Sequence, residues 1–146
     1  MTQTPSTVPV TLIGMSAAPD PDGYVPGVCN IGSYEIRRRR AIGIAGFATA
    51  LLVLAGLVAV DAPAAARLLV FPLLAAGFNG WLQARRRFCV GFAVAGLVNL
   101  DRVASGRRAV IDPAALRADR TAALRLVRDS MLLALPIAVI AVLLPL

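Results

Sequence analysis

Cys29 and Cys89 are the only cysteines in the chain, and each stands near a block of arginine. Arg37, Arg38, Arg39 and Arg40 follow the first, and Arg85, Arg86 and Arg87 precede the second. Neighbouring guanidinium groups favour thiolate, so two thiols at one boundary could form a redox couple or hold a persulfide. Against that, the chain has no Cys-x-x-Cys, and free cysteine commonly packs as a small hydrophobe. Stable disulfides are also disfavoured in the cytosol. Packing, thiol chemistry and reversible acylation therefore stay open for Cys29 and Cys89.

The remaining chemistry is sparse. The chain has no histidine, which removes the usual proton carrier and the commonest ligand for haem, zinc and copper. Neither a cofactor nor a metal is expected. The eight acids fall at caps, loops and helix surfaces, where paired-carboxylate catalysis finds no support. Gly43-Ile44-Ala45-Gly46 lacks the Lys-Ser/Thr ending of a phosphate loop. Asn79 and Gln83 lie four residues apart in an apolar stretch, where amides seek partners across a helix interface, among headgroups or on a ligand.

The elements that must position these groups are apolar. Of 146 residues 58% are hydrophobic and mean hydropathy is +0.76, more than a soluble domain of this length needs. Residues 41–60 and 68–84 carry no charge, and the arginine blocks bracket the pair. Twenty helical residues cover about 30 Å, the thickness of bilayer hydrocarbon, so the two stretches predict a transmembrane hairpin joined by a tight turn. Trp81 reads as an interfacial anchor. Ala41, Ala45 and Thr49 recur at four residues in the first span, as do Ala76, Gly80 and Ala84 in the second. Small residues at that spacing let helices approach where lipid removes the ordinary hydrophobic drive. The hairpin is expected to close on those rows, with Asn79 and Gln83 beside them.

Beyond the hairpin, residues 88–100 are apolar but too short to cross, and are expected to lie at the interface or tuck into the protein. Asp112-Pro113 is a strong helix start, an acidic cap followed by proline at the first helical position. The helix it opens is amphipathic to about residue 129. It then turns apolar, giving a third span over about 130–146 with a bend at Pro136. Residues 1–28 lack sustained periodicity and a basic start, so they read as a flexible polar tail and not a signal peptide. Within that tail 8–13 is apolar enough to touch a surface or pair as an edge strand. Ser33 is the expected cap of the first helix.

All 15 basic residues are arginine, and the net charge is +7. Their placement at the ends of apolar helices, with few aromatics, points to anionic lipid headgroups and topology and away from nucleic acid. If both blocks share a side, residues 61–67 form the opposite loop with Arg67 alone, and the positive-inside rule puts the N-terminus in the cytoplasm. The expected fold is all-α: a polytopic protein of a bacterial inner membrane, with residues 29–146 as one helical membrane domain. The expected role is non-catalytic, an accessory or assembly subunit of a larger membrane complex or a homo-oligomeric module. A thiol protein using Cys29 and Cys89 is the rival. An oligomeric pore or carrier is the third class, weakened because no acid lies inside a span.

Asn30-Ile31-Gly32, Arg37, Arg40, Gly43, a pair of short spans and Cys89 together resemble the two-helix inner-membrane domain of the YgaP-like family, found alone or beside a rhodanese domain. The likeness covers residues 29 to about 100. It implies a helical hairpin that dimerises, and it links Cys89 to sulfur-related chemistry by association. Val90 stands where that family commonly has proline, and residues 113–146 lie outside the likeness. No rhodanese segment is present, so no sulfurtransferase activity is implied.

Overall fold

From Ser33 the sequence runs to residue 62 without a proline, and in the computed structural model it forms one helix, α1, over Ser33–Ala59. The structure describes residues 23–144. The flexible tail expected over 1–22, with the edge strand at 8–13, lies outside the described residues. A 3-10 turn over Ala64–Leu69 reverses the chain into α2, Val70–Arg85. Helix α3, Val90–Ala95, is short and leads into strand β1, Leu97–Val98. β1 pairs antiparallel with β2, Arg108–Ala109, Leu97 opposite Ala109. Helix α4 occupies Pro113–Leu143. The protein is mostly helical, and Ser33–Ala59, Ala64–Arg85 and Pro113–Leu143 are each long and apolar enough to cross a membrane.

On α1 the hairpin closes on a different row from the expected one, while on α2 it keeps Gly80 and Ala84 of the expected row. Gly43 and Ala50 are buried in α1, whereas Ala41, Ala45 and Thr49 are exposed. On α2 the buried residues include Gly77, Gly80 and Ala84, while Ala76 faces outward. The reason is backbone proximity. A Cβ added at Gly80 would fall 2.7 Å from the Gly43 amide nitrogen and 2.9 Å from the Arg39 carbonyl oxygen. Glycine at both positions lets the helices meet closer than an alanine row permits.

Helix α4 starts as the sequence implies, with Asp112 accepting from the amides of Ala114 and Ala115, each at 3.1 Å. It runs through Pro136 unbroken. Its second half buries Ser130, Ala134, Ala138 and Ala141 and exposes Leu132, Leu133, Leu135 and Ile140. Small residues inside and large aliphatics outside invert the order of a water-soluble helix, and an apolar surrounding favours that inversion. At its end Arg67, buried in the 3-10 turn, donates to the carbonyls of Leu144 at 2.8 Å and Ala141 at 3.3 Å. Arg86, just past α2, pairs with Asp129 at 2.9 Å. These two contacts place the second half of α4 alongside α2, with the chain's direction opposed.

Segment 88–100 tucks inward: Phe88, Cys89, Phe92, Ala93 and Val98 are all buried. Phe88 and Ala93 join Leu82, Ala123 and Leu126 in one apolar cluster. The segment thus ties the first half of α4 to the end of α2.

Candidate functional site

The polar side chains gather in a head at the arginine-rich end of the helices. Its centre is Asn30, fully buried. The Asn30 side chain grips the backbone of Cys89 with both ends of its amide: Oδ1 accepts from the Cys89 N–H at 2.7 Å, and Nδ2 donates to the Cys89 carbonyl at 3.1 Å. The amides of Asn30 and Ile31 donate to the Arg87 carbonyl at 3.1 and 3.3 Å. Arg87 adopts φ +53°, a left-handed conformation that costs a non-glycine residue energy and persists where surrounding contacts fix it.

A second asparagine repeats the device. The Asn99 amide donates to the Asn30 carbonyl at 3.0 Å, and Asn99 O accepts from Gly32 N at 2.7 Å. The Asn99 side chain then accepts from Asp101 N and donates to Val103 O, each at 3.1 Å. Gly32 has no room for a side chain, since a Cβ would collide with the Leu100 carbonyl. This docking moves the cap of α1 to Gly32, and Ser33 becomes the first helical residue without making a cap bond.

The third centre is Asp119 on α4. It is fully buried, accepting from the Tyr24 hydroxyl at 2.8 Å and from Gly27 N at 2.6 Å. Residues 23–28, expected as part of the polar tail, are therefore folded onto α4. Burial, then the hydrogen bond and charge of Asp119, push the Tyr24 phenol above its ordinary value near 10. Glu35, also fully buried, has the guanidinium groups of Arg39 and Arg38 at 3.7 and 3.9 Å, one turn away on α1.

The two thiols do not share an environment. Cys89 is wholly buried, its sulfur accepting from Phe92 N at 3.4 Å as the cap of α3. Cys29 is partly exposed and donates to the Gly23 carbonyl at 3.3 Å. Both are free. Cys29 lines a cleft of about 340 Å³ with Ser33, Arg87 and Arg102. Gln83, mostly buried, accepts from Val90 N at 3.1 Å and donates to Asn79, so the amide pair fastens segment 88–100 to α2. The pair also lines a groove of about 370 Å³ with Ser130 and Met131 of α4.

Of the bracketing arginines, Arg38 and Arg39 face Glu35, Arg86 meets Asp129, and Arg37, Arg40, Arg85 and Arg87 lie at the surface. Among the described residues no cluster of three or more metal-ligating acids or cysteines occurs. Sequence reasoning missed Asn30, Asn99, Tyr24 and Asp119 as a buried set. Only the Glu35–Arg39 spacing carried a local signal, at four residues on one helix. No protein family, curated protein or solved structure matches the chain.

Proposed function

We propose that this chain is a non-catalytic integral membrane subunit, crossing a bacterial cytoplasmic membrane three times, with its polar head and N-terminus in the cytoplasm. It docks through outward aliphatic faces to a larger membrane complex or to its own copy. The observation that carries this reading is the use made of the head's polar groups. Asn30, Asn99, Asp119 and Gln83 are consumed in holding backbone and side chains of the same chain. That is the economy of a scaffold, in which these four side chains specify one arrangement of the chain; Glu35 is the exception, its buried carboxylate facing Arg38 and Arg39 without a hydrogen bond. Fourteen of the 15 arginines lie outside the 61–67 loop, the bias that orients membrane proteins. The likeness of residues 29 to about 100 to the YgaP-like hairpin agrees with a self-associating module.

The test is affinity purification from native membranes in mild detergent with mass spectrometry of what is retained. A stoichiometric complex or a homo-oligomer supports the reading; a monomer with nothing attached removes it.

A second reading rests on Cys29, whose thiol lines a cleft with two arginines. Partial exposure leaves the thiol within reach of small reagents. In this reading Cys29 acts alone, because Cys89 is wholly buried. Failure of Cys29 to alkylate in permeabilised membranes would remove it.

A further inference from the structure

We propose that Arg40, Arg85 and Trp81 form a cleft that holds the phosphate of an anionic phospholipid headgroup; this deepens the membrane reading above and rests on it. The three residues line a cavity of about 220 Å³ together with Ala84. That is room for about seven waters, enough for a phosphodiester. Arg40 is the last residue before the uncharged stretch 41–60, and Arg85 the first after 68–84. Both therefore sit at the same boundary of the hairpin, where lipid phosphates lie. The cleft exists because α1 and α2 touch at Gly43 and Gly80, which draws the two helix ends together.

Charge bookkeeping points the same way. Arg38, Arg39, Arg86 and Arg128 each face a carboxylate of this chain within 4 Å. Among the described residues no acid stands so close to Arg40 or Arg85. The Arg85 guanidinium lies over the Trp81 ring, 5.3 Å from its centre, a cation–π contact that uses no N–H donor. Two guanidinium groups from separate helices suit the oxygens of one phosphate, and basic pockets between spans at a cytoplasmic boundary bind anionic headgroups.

Trp81 is the chain's only tryptophan, so its fluorescence reports on this cleft alone. The full chain, first shown to resist alkaline carbonate extraction from membranes, is titrated in zwitterionic detergent with phosphatidylglycerol, phosphatidylcholine and inorganic phosphate. Salt of about 0.5 M shortens screening to a few ångströms and suppresses diffuse attraction. Lipid retained in native mass spectrometry gives a readout independent of the ring. Phosphatidylglycerol is expected to give a saturable change and one retained lipid, with phosphatidylcholine giving neither. The Arg40→Gln/Arg85→Gln protein should bind about twenty-fivefold more weakly, roughly fivefold for each arginine. Arg37→Gln/Arg120→Gln, which removes equal charge from exposed positions, should stay within about twofold at that salt.

Equal losses in both variants, no saturable change, or an equal response to phosphatidylcholine would each overturn the cleft. An equal response to inorganic phosphate would overturn the lipid as its occupant. Extraction by carbonate would instead overturn the membrane reading, before any lipid was added.

Discussion

Asn30 carries more of the head than its size suggests, since one side chain satisfies both backbone groups of Cys89. Asn30→Leu leaves that buried N–H and C=O unpaired, a loss of about 2–4 kcal/mol. The expected result is a lowered unfolding midpoint in detergent together with new alkylation at Cys89. In the unaltered protein a maleimide should label Cys29 and spare Cys89; equal labelling would contradict the burial. Tyr24 supplies a pH test whose sign follows from its raised phenol. A group more acidic in the unfolded chain stabilises the fold below its ordinary value near 10, and that contribution fades as pH climbs past it. The stability gap between the parent and Tyr24→Phe should be full at neutral pH and shrink above about pH 10, measured by thermal unfolding at each pH. These residues were hard to see in the sequence for a physical reason. Tyr24 and Asp119 are 95 residues apart, and an asparagine in a loop looks the same whether it is solvated or clamps a backbone. The cysteines and arginines were conspicuous by type, but type alone did not say which thiol was buried.

At the scale of elements, the apolar lengths and the Asp112-Pro113 start were legible, because span length and cap chemistry are local. The contact row was legible on α2, where Gly80 and Ala84 are buried as expected, but not on α1. Ala41, Ala45 and Thr49 matched the general rule, yet Gly43 decided the α1 side by meeting Gly80 at the closest approach. Gly80→Val would drive a Cβ into two backbone atoms that cannot yield, so a loss of about 1–3 kcal/mol is expected. Ala41→Val, on the exposed row, should change stability by less than about 0.5 kcal/mol. Comparing the two in a detergent unfolding assay tests the rotation of α1 directly. The β1–β2 pair also escaped the sequence. Strands of two residues leave no periodicity to read, and β1 is followed at once by Asn99, whose backbone bonds to Asn30 and Gly32.

For the whole molecule the question is how α4 completes its path. The uncharged end of α4, residues 130–143, makes about 21 Å of helix, so the roughly 30 Å of hydrocarbon is matched only together with the turns before it. Arg67 holds the far end: from the turn before α2 it donates to the carbonyls of Ala141 and Leu144, groups that lipid would leave unpaired in the proposed three-span arrangement. In that arrangement a charged side chain near the hydrocarbon is costly unless it is hydrogen-bonded. In a Cys29→Ser background, Ala65→Cys and Leu144→Cys should label with an impermeant maleimide from the side opposite the arginine-rich head. Cys29 itself should label only in inverted vesicles. If Leu144→Cys labels from the head side, α4 does not cross. Adding Arg67→Met should lower stability by about 2 kcal/mol and weaken labelling of Leu144→Cys from the far side, because an uncapped helix end frays back into lipid. An unchanged pattern would mean that the small-residue face of Ala134, Ala138 and Ala141 holds α4 across without its cap.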